Sequence, residues 1–255
     1  MFHDALVPFA ERRIIFMKRR ILSLLLVVCM AMGLYACGDD KKGEKKKESD
    51  VKKEDAVIGI NPEWAETTVF YEIFVRSFAD SNGDGIGDFK GIEENLDYLK
   101  DLGIGAIWLM PMMESTTYHG YDVVDYYAPN PDYGTIEEFD SLVNACHEKG
   151  IKVIIDFVVN HTSSSNEWFK EALADEASKY REFYSIADNI PVGENDSTYS
   201  SWRQDEATGK YYYAHYDKIM PDLNYNKQVV RDEIKNVAKF WLDHGVDGFR
   251  LDGSK

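Results

Sequence analysis

Two stretches of this sequence carry side chains suited to covalent chemistry, and a third could hold a metal ion. The first is Asp156-Phe-Val-Val-Asn160-His161 and the second is Gly248-Phe-Arg250-Leu-Asp252-Gly-Ser-Lys255. Side chains alternate along a strand, so Arg250 and Asp252 should point to the same side. A guanidinium that close favours the ionised carboxylate, the form a nucleophile needs. His161 can donate a hydrogen bond at the same rim. Alone, an Arg-x-Asp pair on a strand is more often a structural ion pair. The third stretch is Asp80-Ser-Asn82-Gly-Asp84-Gly-Ile86-Gly-Asp88. Oxygen donors at alternate positions, with Gly85 permitting a sharp turn, suit Ca²⁺. It opens like an EF-hand loop, but the twelfth position is Gly91, where that motif needs a bidentate Glu. A solvated Asp/Gly-rich turn is the alternative.

These stretches must be positioned by the elements around them. Val69–Val75, Ala106–Met110, Val153–Val159 and Gly248–Asp252 are short apolar runs that read as strands. Between them, Ile92/Leu96/Leu99, Ile136–Lys149 and Val230/Ile234/Val237/Trp241 recur at helical spacing. Apolar strands alternating with amphipathic helices predict a parallel sheet buried on both faces. The stretch 162–226 breaks the rhythm and is far longer than the usual connection, so it is expected to be an inserted subdomain. It is rich in aromatics, and Gly209 suits a hairpin turn. Such rings could stack on sugars, but a small subdomain also needs them as its core.

Charge bounds the partners. The chain has 255 residues, 44% of them hydrophobic, and a net charge of −16. Positive charge is concentrated before residue 56, so the body is strongly acidic, which disfavours nucleic acid and anionic lipid surfaces. Neutral polymers and cations remain as partners. Neither a phosphate-binding glycine loop, a zinc-type Cys/His spacing nor a dinucleotide fingerprint is present. Cys146 falls on the apolar side of a helical pattern and reads as a small buried residue.

Lys18-Arg19-Arg20 precede an apolar run from Ile21 to Leu34, which has the form of an export signal. It is shorter than the ~20 residues needed to span a bilayer. Leu34-Tyr35-Ala36-Cys37 at its end resembles a bacterial lipobox, implying lipidation of Cys37; an ordinary cleaved signal is the rival reading. Met17 is a plausible start. Residues 38–60 begin with a run of Lys, Glu and Asp that nothing could bury, and read as a flexible tether. The expectation is an exported bacterial lipoprotein, held at a membrane only by its anchor.

In their order and spacing, the Asp156–His161 and Gly248–Asp252 stretches resemble the α-amylase family of glycoside hydrolases, glycoside hydrolase family 13. The resemblance runs from about Glu63 to Lys255 and includes Tyr118-His119-Gly120-Tyr121 and Met220-Pro-Asp-Leu-Asn224. It implies a (β/α)₈ TIM barrel, with residues 61–161 its first part, 162–226 subdomain B and 227–255 the continuation to about the fourth strand. Asp252 would attack the anomeric carbon, Arg250 and His161 would hold sugar and nucleophile, and Tyr121 would stack under the sugar ring. Lys255 would contact sugar on the leaving-group side. Asp80, Asn82, Asp84, Asp88 and the Ile86 carbonyl would ligate Ca²⁺. A retaining mechanism needs an acid carboxyl ~5–5.5 Å from the nucleophile. The family supplies it from the next strand, so this chain alone is expected to be inactive. The stretch at 220–224 resembles the group between oligo-1,6-glucosidases and neopullulanases, many of whose members are α-amylases. The expected activity of the full-length protein is hydrolysis of α-1,4-glucosidic bonds in starch-like glucans. An α-glucosidase, a neopullulanase or a non-catalytic glycan-binding relative are the alternatives. Glucose-trimming relatives commonly carry Asp where Tyr118 stands, so Tyr118 favours an open cleft and internal cleavage.

Overall fold

The computed structural model describes residues 63–191 and 201–253, which fall within one compact unit, Ile60–Lys255. The expected leader and tether, Cys37 and Lys255 lie outside the described residues.

Four parallel strands form the central sheet: β1 (Phe70–Ile73), β2 (Ala106–Leu109), β5 (Lys152–Val158) and β9 (Gly248–Asp252). They lie side by side in chain order, β1-β2-β5-β9. All four coincide closely with the apolar runs of the sequence. Ile73, Leu109 and Ile155 pair in register and are almost wholly buried. Because side chains alternate, the opposite face carries Glu72, Trp108 and Ile154 in one register row and Asp156 with Arg250 further up.

Helices follow the strands. A short helix, α1 (Glu63–Thr67), precedes β1; after β1 comes a helical turn, α2 (Val75–Phe78), then α3 (Phe89–Glu94) and α4 (Leu96–Asp101), where the sequence suggests one helix. The break falls at Asn95, whose side-chain amide donates to the Gly91 carbonyl at 2.8 Å. A side chain that bonds its own backbone competes with helix continuation. α5 (Ile136–Glu148) starts with a capping box, Thr135 and Glu138 each satisfying the other's backbone N–H. Its buried face is Phe139, Leu142, Val143 and Cys146. α7 (Gln228–Asp243) buries Val230, Ile234, Val237 and Trp241, the periodic positions in the sequence. Phe139 and Trp241 meet edge to face at 5.3 Å, joining α5 to α7. The Cys146 thiol is buried and its pKa is pushed up to about 12 by burial, so it is inert as a nucleophile.

Two features interrupt the alternation. An antiparallel ribbon, β3 (Met113–Ser115) with β4 (Val123–Pro129), lies between β2 and α5 and has no counterpart in the sequence reading. The long excursion after β5 contains α6 (Glu167–Ala174), preceding a sheet of β6 (Ile186–Ala187), β8 (Tyr211–Tyr213) and β7 (Trp202–Gln204). The β7–β8 hairpin turns at Gly209, whose φ of +72° suits glycine. Most of the aromatics pack as core here: Trp168 stacks on Tyr126 and Tyr180, and Phe169 meets Tyr184 and Tyr212 edge on.

Candidate active site

The register of β9 on β5 sets Arg250 beside Asp156 and Asp252 beside Val158. As alternation requires, Arg250 and Asp252 share a side: Arg250 Nη1 donates to Asp252 Oδ1 at 2.5 Å. The same nitrogen lies 3.2 and 3.3 Å from the Asp156 carboxylate oxygens. The guanidinium therefore bridges two carboxylates. It also lies 5.2 Å from the centre of the Trp108 ring, which comes from β2. The Trp108 indole N–H is buried beside the Asp156 carboxylate and pulls its pKa down. Asp156 is 1% exposed. Burial, against the pull of Arg250, raises its pKa to about 6.

Above the strand ends is an open pocket of about 450 Å³ lined by His119, Tyr121, His161, Tyr216, Met220 and Asp252. That volume lies within the range of small-molecule sites. The Tyr121 hydroxyl points at Asp156 Oδ2 from 3.5 Å. Burial and the Asp156 charge raise the Tyr121 phenol above its ordinary pKa, so it stays a donor. His161 is buried, and burial lowers its pKa, keeping it neutral. Its Nε2–H reaches the Tyr121 carbonyl at 3.0 Å, and Nδ1 accepts from the Asn160 amide at 3.3 Å. That bond fixes the tautomer, and a sugar hydroxyl at this edge would share the Nε2 hydrogen. His161 thereby holds Tyr121 as well as facing the pocket.

Asp122 builds the wall that carries Tyr121. It is wholly buried and accepts hydrogen bonds from Ser115 Oγ (2.6 Å), Thr116 N (3.2 Å) and Ser163 Oγ (3.3 Å), and from the Thr116 and Thr117 hydroxyls. Burial opposes its charge, but these hydroxyls outweigh burial and leave its pKa lowered. Gly120 completes the turn at φ +82°, where a Cβ would stand 2.5 Å from the Pro111 carbonyl oxygen. On the other wall, Thr162 N donates to Pro221 O (3.1 Å) and Leu223 N to Asn160 O (2.8 Å), which seats Met220 beside His161.

The sequence reading therefore named Asp252, Arg250, Tyr121 and His161, and the fold brings all four together. It gave no role to Asp156, Asp122 or Trp108 and passed over His119, Tyr216 and Met220 as pocket wall.

The Asp80–Asp88 loop lies apart from this pocket. Asp80 accepts from the amides of Asn82 (3.1 Å), Gly83 (2.7 Å) and Gly85 (2.8 Å). The Gly85 and Gly83 amides hold its carboxyl below the ordinary pKa. Asn82 and Asp84 accept from the amides of Asp84 and Ile86. Asp88 caps α3 through Gly91 N (2.6 Å) and holds Ser81. The donors are all oxygen, which suits Ca²⁺ in type. Among the described residues no group of three or more His, Cys, Asp or Glu side chains is gathered for a metal.

At the strand ends of a parallel βα sheet, an Arg-clamped carboxylate thus lies below an aromatic-walled pocket. Residues 72–255 match the family model of the α-amylase catalytic domain, and the chain belongs to that family. It is 49% identical over 199 residues to α-amylase 3 of Dictyoglomus thermophilum, covering 78% of this chain and 39% of that protein. It is 45% identical to an oligo-1,6-glucosidase of Heyndrickxia coagulans, over 74% of this chain and 36% of that one. Among solved structures, the α-amylase from H. orenii superposes with a TM-score of 0.67 at 49% identity, over 73% of this chain and 40% of that one. The four strands are thus part of a (β/α)₈ barrel. The chain spans roughly two fifths of the length of these relatives.

Proposed function

We propose that the whole protein hydrolyses α-1,4-glucosidic bonds in starch-like glucans with retention of configuration, Asp252 acting as nucleophile. The observation that carries this is the Asp252 carboxylate on the pocket wall, held at 2.5 Å by Arg250. The guanidinium turns the carboxylate toward the pocket and balances its charge. An Asp252 oxygen bonds the anomeric carbon as the glycosidic C–O bond breaks, and the leaving oxygen takes a proton from an acid carboxyl on a later strand. Water then attacks the same carbon, releases Asp252 and returns a proton to that carboxyl. Tyr121 stacks beneath the ring, His161 and Arg250 orient it, and Lys255 contacts the leaving-group side.

The 45% identity to an oligo-1,6-glucosidase favours a second reading, cleavage of α-1,6 bonds in short oligosaccharides. Incubation of the whole protein with amylose and with isomaltose separates the two. Mixed maltooligosaccharides from amylose support the first, and glucose from isomaltose alone supports the second. Asp252→Asn should abolish either activity; full activity in that variant would overturn the assignment.

Two further parts belong to this proposal. Ca²⁺ would be held by Asp80, Asn82, Asp84, Asp88 and the Ile86 carbonyl. The all-oxygen donor set supports it, and the ion's role would be structural. Cys37 would carry the lipid, and the charged segment after it would hold the catalytic domain away from a bacterial membrane; the lipobox-like sequence supports this.

A further inference from the structure

Arg250 reaches Asp156 only because β9 stands at one height on β5, with Gly248 opposite Ile154 and Asp252 opposite Val158. The apolar pattern of β9 does not enforce that height. Phe249 and Leu251 alternate with the site residues, so a shift of two residues keeps the alternation and sets one apolar side chain where the other stood. Such a shift would carry Arg250 from Asp156 to the level of Val158. The Phe157 and Phe249 rings meet at 4.8 Å, but an apolar contact has little direction. A directional contact must fix the strand along its axis.

Asp247, the residue before β9, makes that contact. Its side chain is 13% exposed. Oδ2 accepts from Val153 N at 2.9 Å and from His147 Nε2 at 2.7 Å, and Oδ1 accepts from Lys152 Nζ at 2.7 Å. The Asp247 N–H donates to the Val153 carbonyl at 2.7 Å. One residue is thus tied to the β5 backbone in both directions and to α5 through an imidazole. Burial opposes the charge of Asp247, but Lys152, the Val153 amide and His147 outweigh burial and hold its carboxyl below the ordinary pKa. A bond to one backbone amide is directional and belongs to one position along β5. The loop that presents Asp247 is anchored too: His244 Nδ1 donates to Asp140 Oδ1 of α5 at 2.7 Å, and Gly245 turns at φ +91°. Two His–Asp pairs of opposite sense therefore fasten the α7–β9 loop to α5.

We propose that Asp247 is a positioning residue for the active site: its carboxylate pins the foot of β9 on β5 and so sets where Arg250 and Asp252 stand. This rests on the reading of Asp252 as nucleophile. Asp247 precedes Arg250 by three residues, about 10 Å along the strand, and lies outside the pocket wall. It acts through the backbone alone. Tyr121, His161 and Met220 line the pocket from other elements and keep their places when β9 moves. Loss of the pin should therefore cost turnover, because a small displacement of the attacking group is expensive, and leave substrate binding nearly intact.

The test measures kcat, KM and Tm of the whole protein as wild type, Asp247→Asn, Asp247→Glu and Asp140→Ala, on amylose or isomaltose, whichever the wild type cleaves. Asparagine keeps an oxygen for Val153 N, so kcat should stay within about threefold. Glutamate keeps the charge for Lys152 and His147, but its extra methylene takes the oxygen off Val153 N. Its kcat should fall about tenfold, with KM within about twofold. Asp247→Ala should match glutamate and takes its place if the glutamate variant does not fold. Asp140→Ala breaks the neighbouring His–Asp pair without touching β5; it should lower Tm and leave kcat within about twofold. Wild-type turnover in the glutamate variant, a greater loss in asparagine than in glutamate, or a loss that follows Tm across the variants overturns the pin and leaves the reading of Asp252 standing. A wild type that cleaves neither substrate overturns that reading and the pin with it.

Discussion

Replacing Asp156 by Asn tests how the clamp on Asp252, the proposed nucleophile, is held. The carboxyl is 1% exposed, and burial raises its pKa from 3.8 to about 6, with Arg250 pulling the other way. Unfolded, it would titrate near its ordinary value. Between those two values the native protein keeps a proton that the unfolded chain has released. By linkage, the stability contributed by this group is complete below about pH 4 and is lost as pH rises through 6. A shift of about two units corresponds to about 3 kcal/mol. Asparagine does not titrate, so the stability of D156N relative to wild type should improve by about 3 kcal/mol between pH 4 and pH 7. Taking the difference cancels carboxylates such as Asp122 and Asp247, whose lowered pKa values weaken both proteins in acid. Activity should move the other way at pH 7. Arg250 would lose its ionised partner on β5, and kcat should fall at least tenfold as the guanidinium shifts on Asp252. Urea denaturation of the whole protein at several pH values between 4 and 7 gives the first quantity, and initial rates give the second. A stability difference that stays flat across that range would refute burial as the origin of the raised pKa.

Other perturbations probe the parts around this clamp. Trp108→Leu removes the ring beside the Arg250 guanidinium and should cost about 3- to 30-fold in kcat/KM, with Phe partly restoring it; unchanged kinetics would remove Trp108 from the clamp. Gly120→Ala places a Cβ 2.5 Å from the Pro111 carbonyl at a positive φ, so stability should drop by about 2 kcal/mol or more, with KM raised as Tyr121 moves. EDTA should lower the Tm of the whole protein, and Asp84→Ala should abolish that sensitivity; a Tm indifferent to EDTA in the wild type rejects the Ca²⁺ assignment. Cys37→Ala, expressed in a bacterium that lipidates exported proteins, should move the protein from the membrane fraction to the soluble one, and retention in the membrane would count against lipidation.

What could be read in the sequence, and what could not, divides by the range of the interaction. Gly248–Asp252 was legible as a strand because its apolar alternation and the helix-ending Gly245 before it are local, and strand geometry alone set Arg250 and Asp252 on one side. The helices were legible for the same reason, except at Asn95, where one side-chain hydrogen bond outweighs an unbroken apolar period. The β3–β4 ribbon was hidden: β3 has three residues, and its pairing with β4 shifts register twice. The Asp80–Asp88 loop showed its oxygen-bearing side chains, while the backbone amides that donate to those oxygens appear only in the folded turn.

The site itself shows the limit most clearly. Asp156 and Arg250 are 94 residues apart, and their contact depends on β9 adding to β5 in one register. A slip of one residue along that pair would turn Arg250 and Asp252 to the opposite face of the sheet. Tyr121 depends on Asp122, which gathers hydroxyls from residues 115–117 and from Ser163, 41 residues further on. Asp252 could therefore be proposed as the nucleophile from its neighbours in sequence, but the two carboxylates that hold its surroundings could not be singled out. Both are buried, and a buried charge persists only where the fold supplies it with partners. For Asp156 those partners are Arg250 and the Tyr121 hydroxyl; for Asp122 they are the hydroxyls of the turn and of Ser163. Mutation of either should disturb the pocket more than its distance from the sugar suggests, because each anchors one of the two walls that Asp252 and Tyr121 occupy.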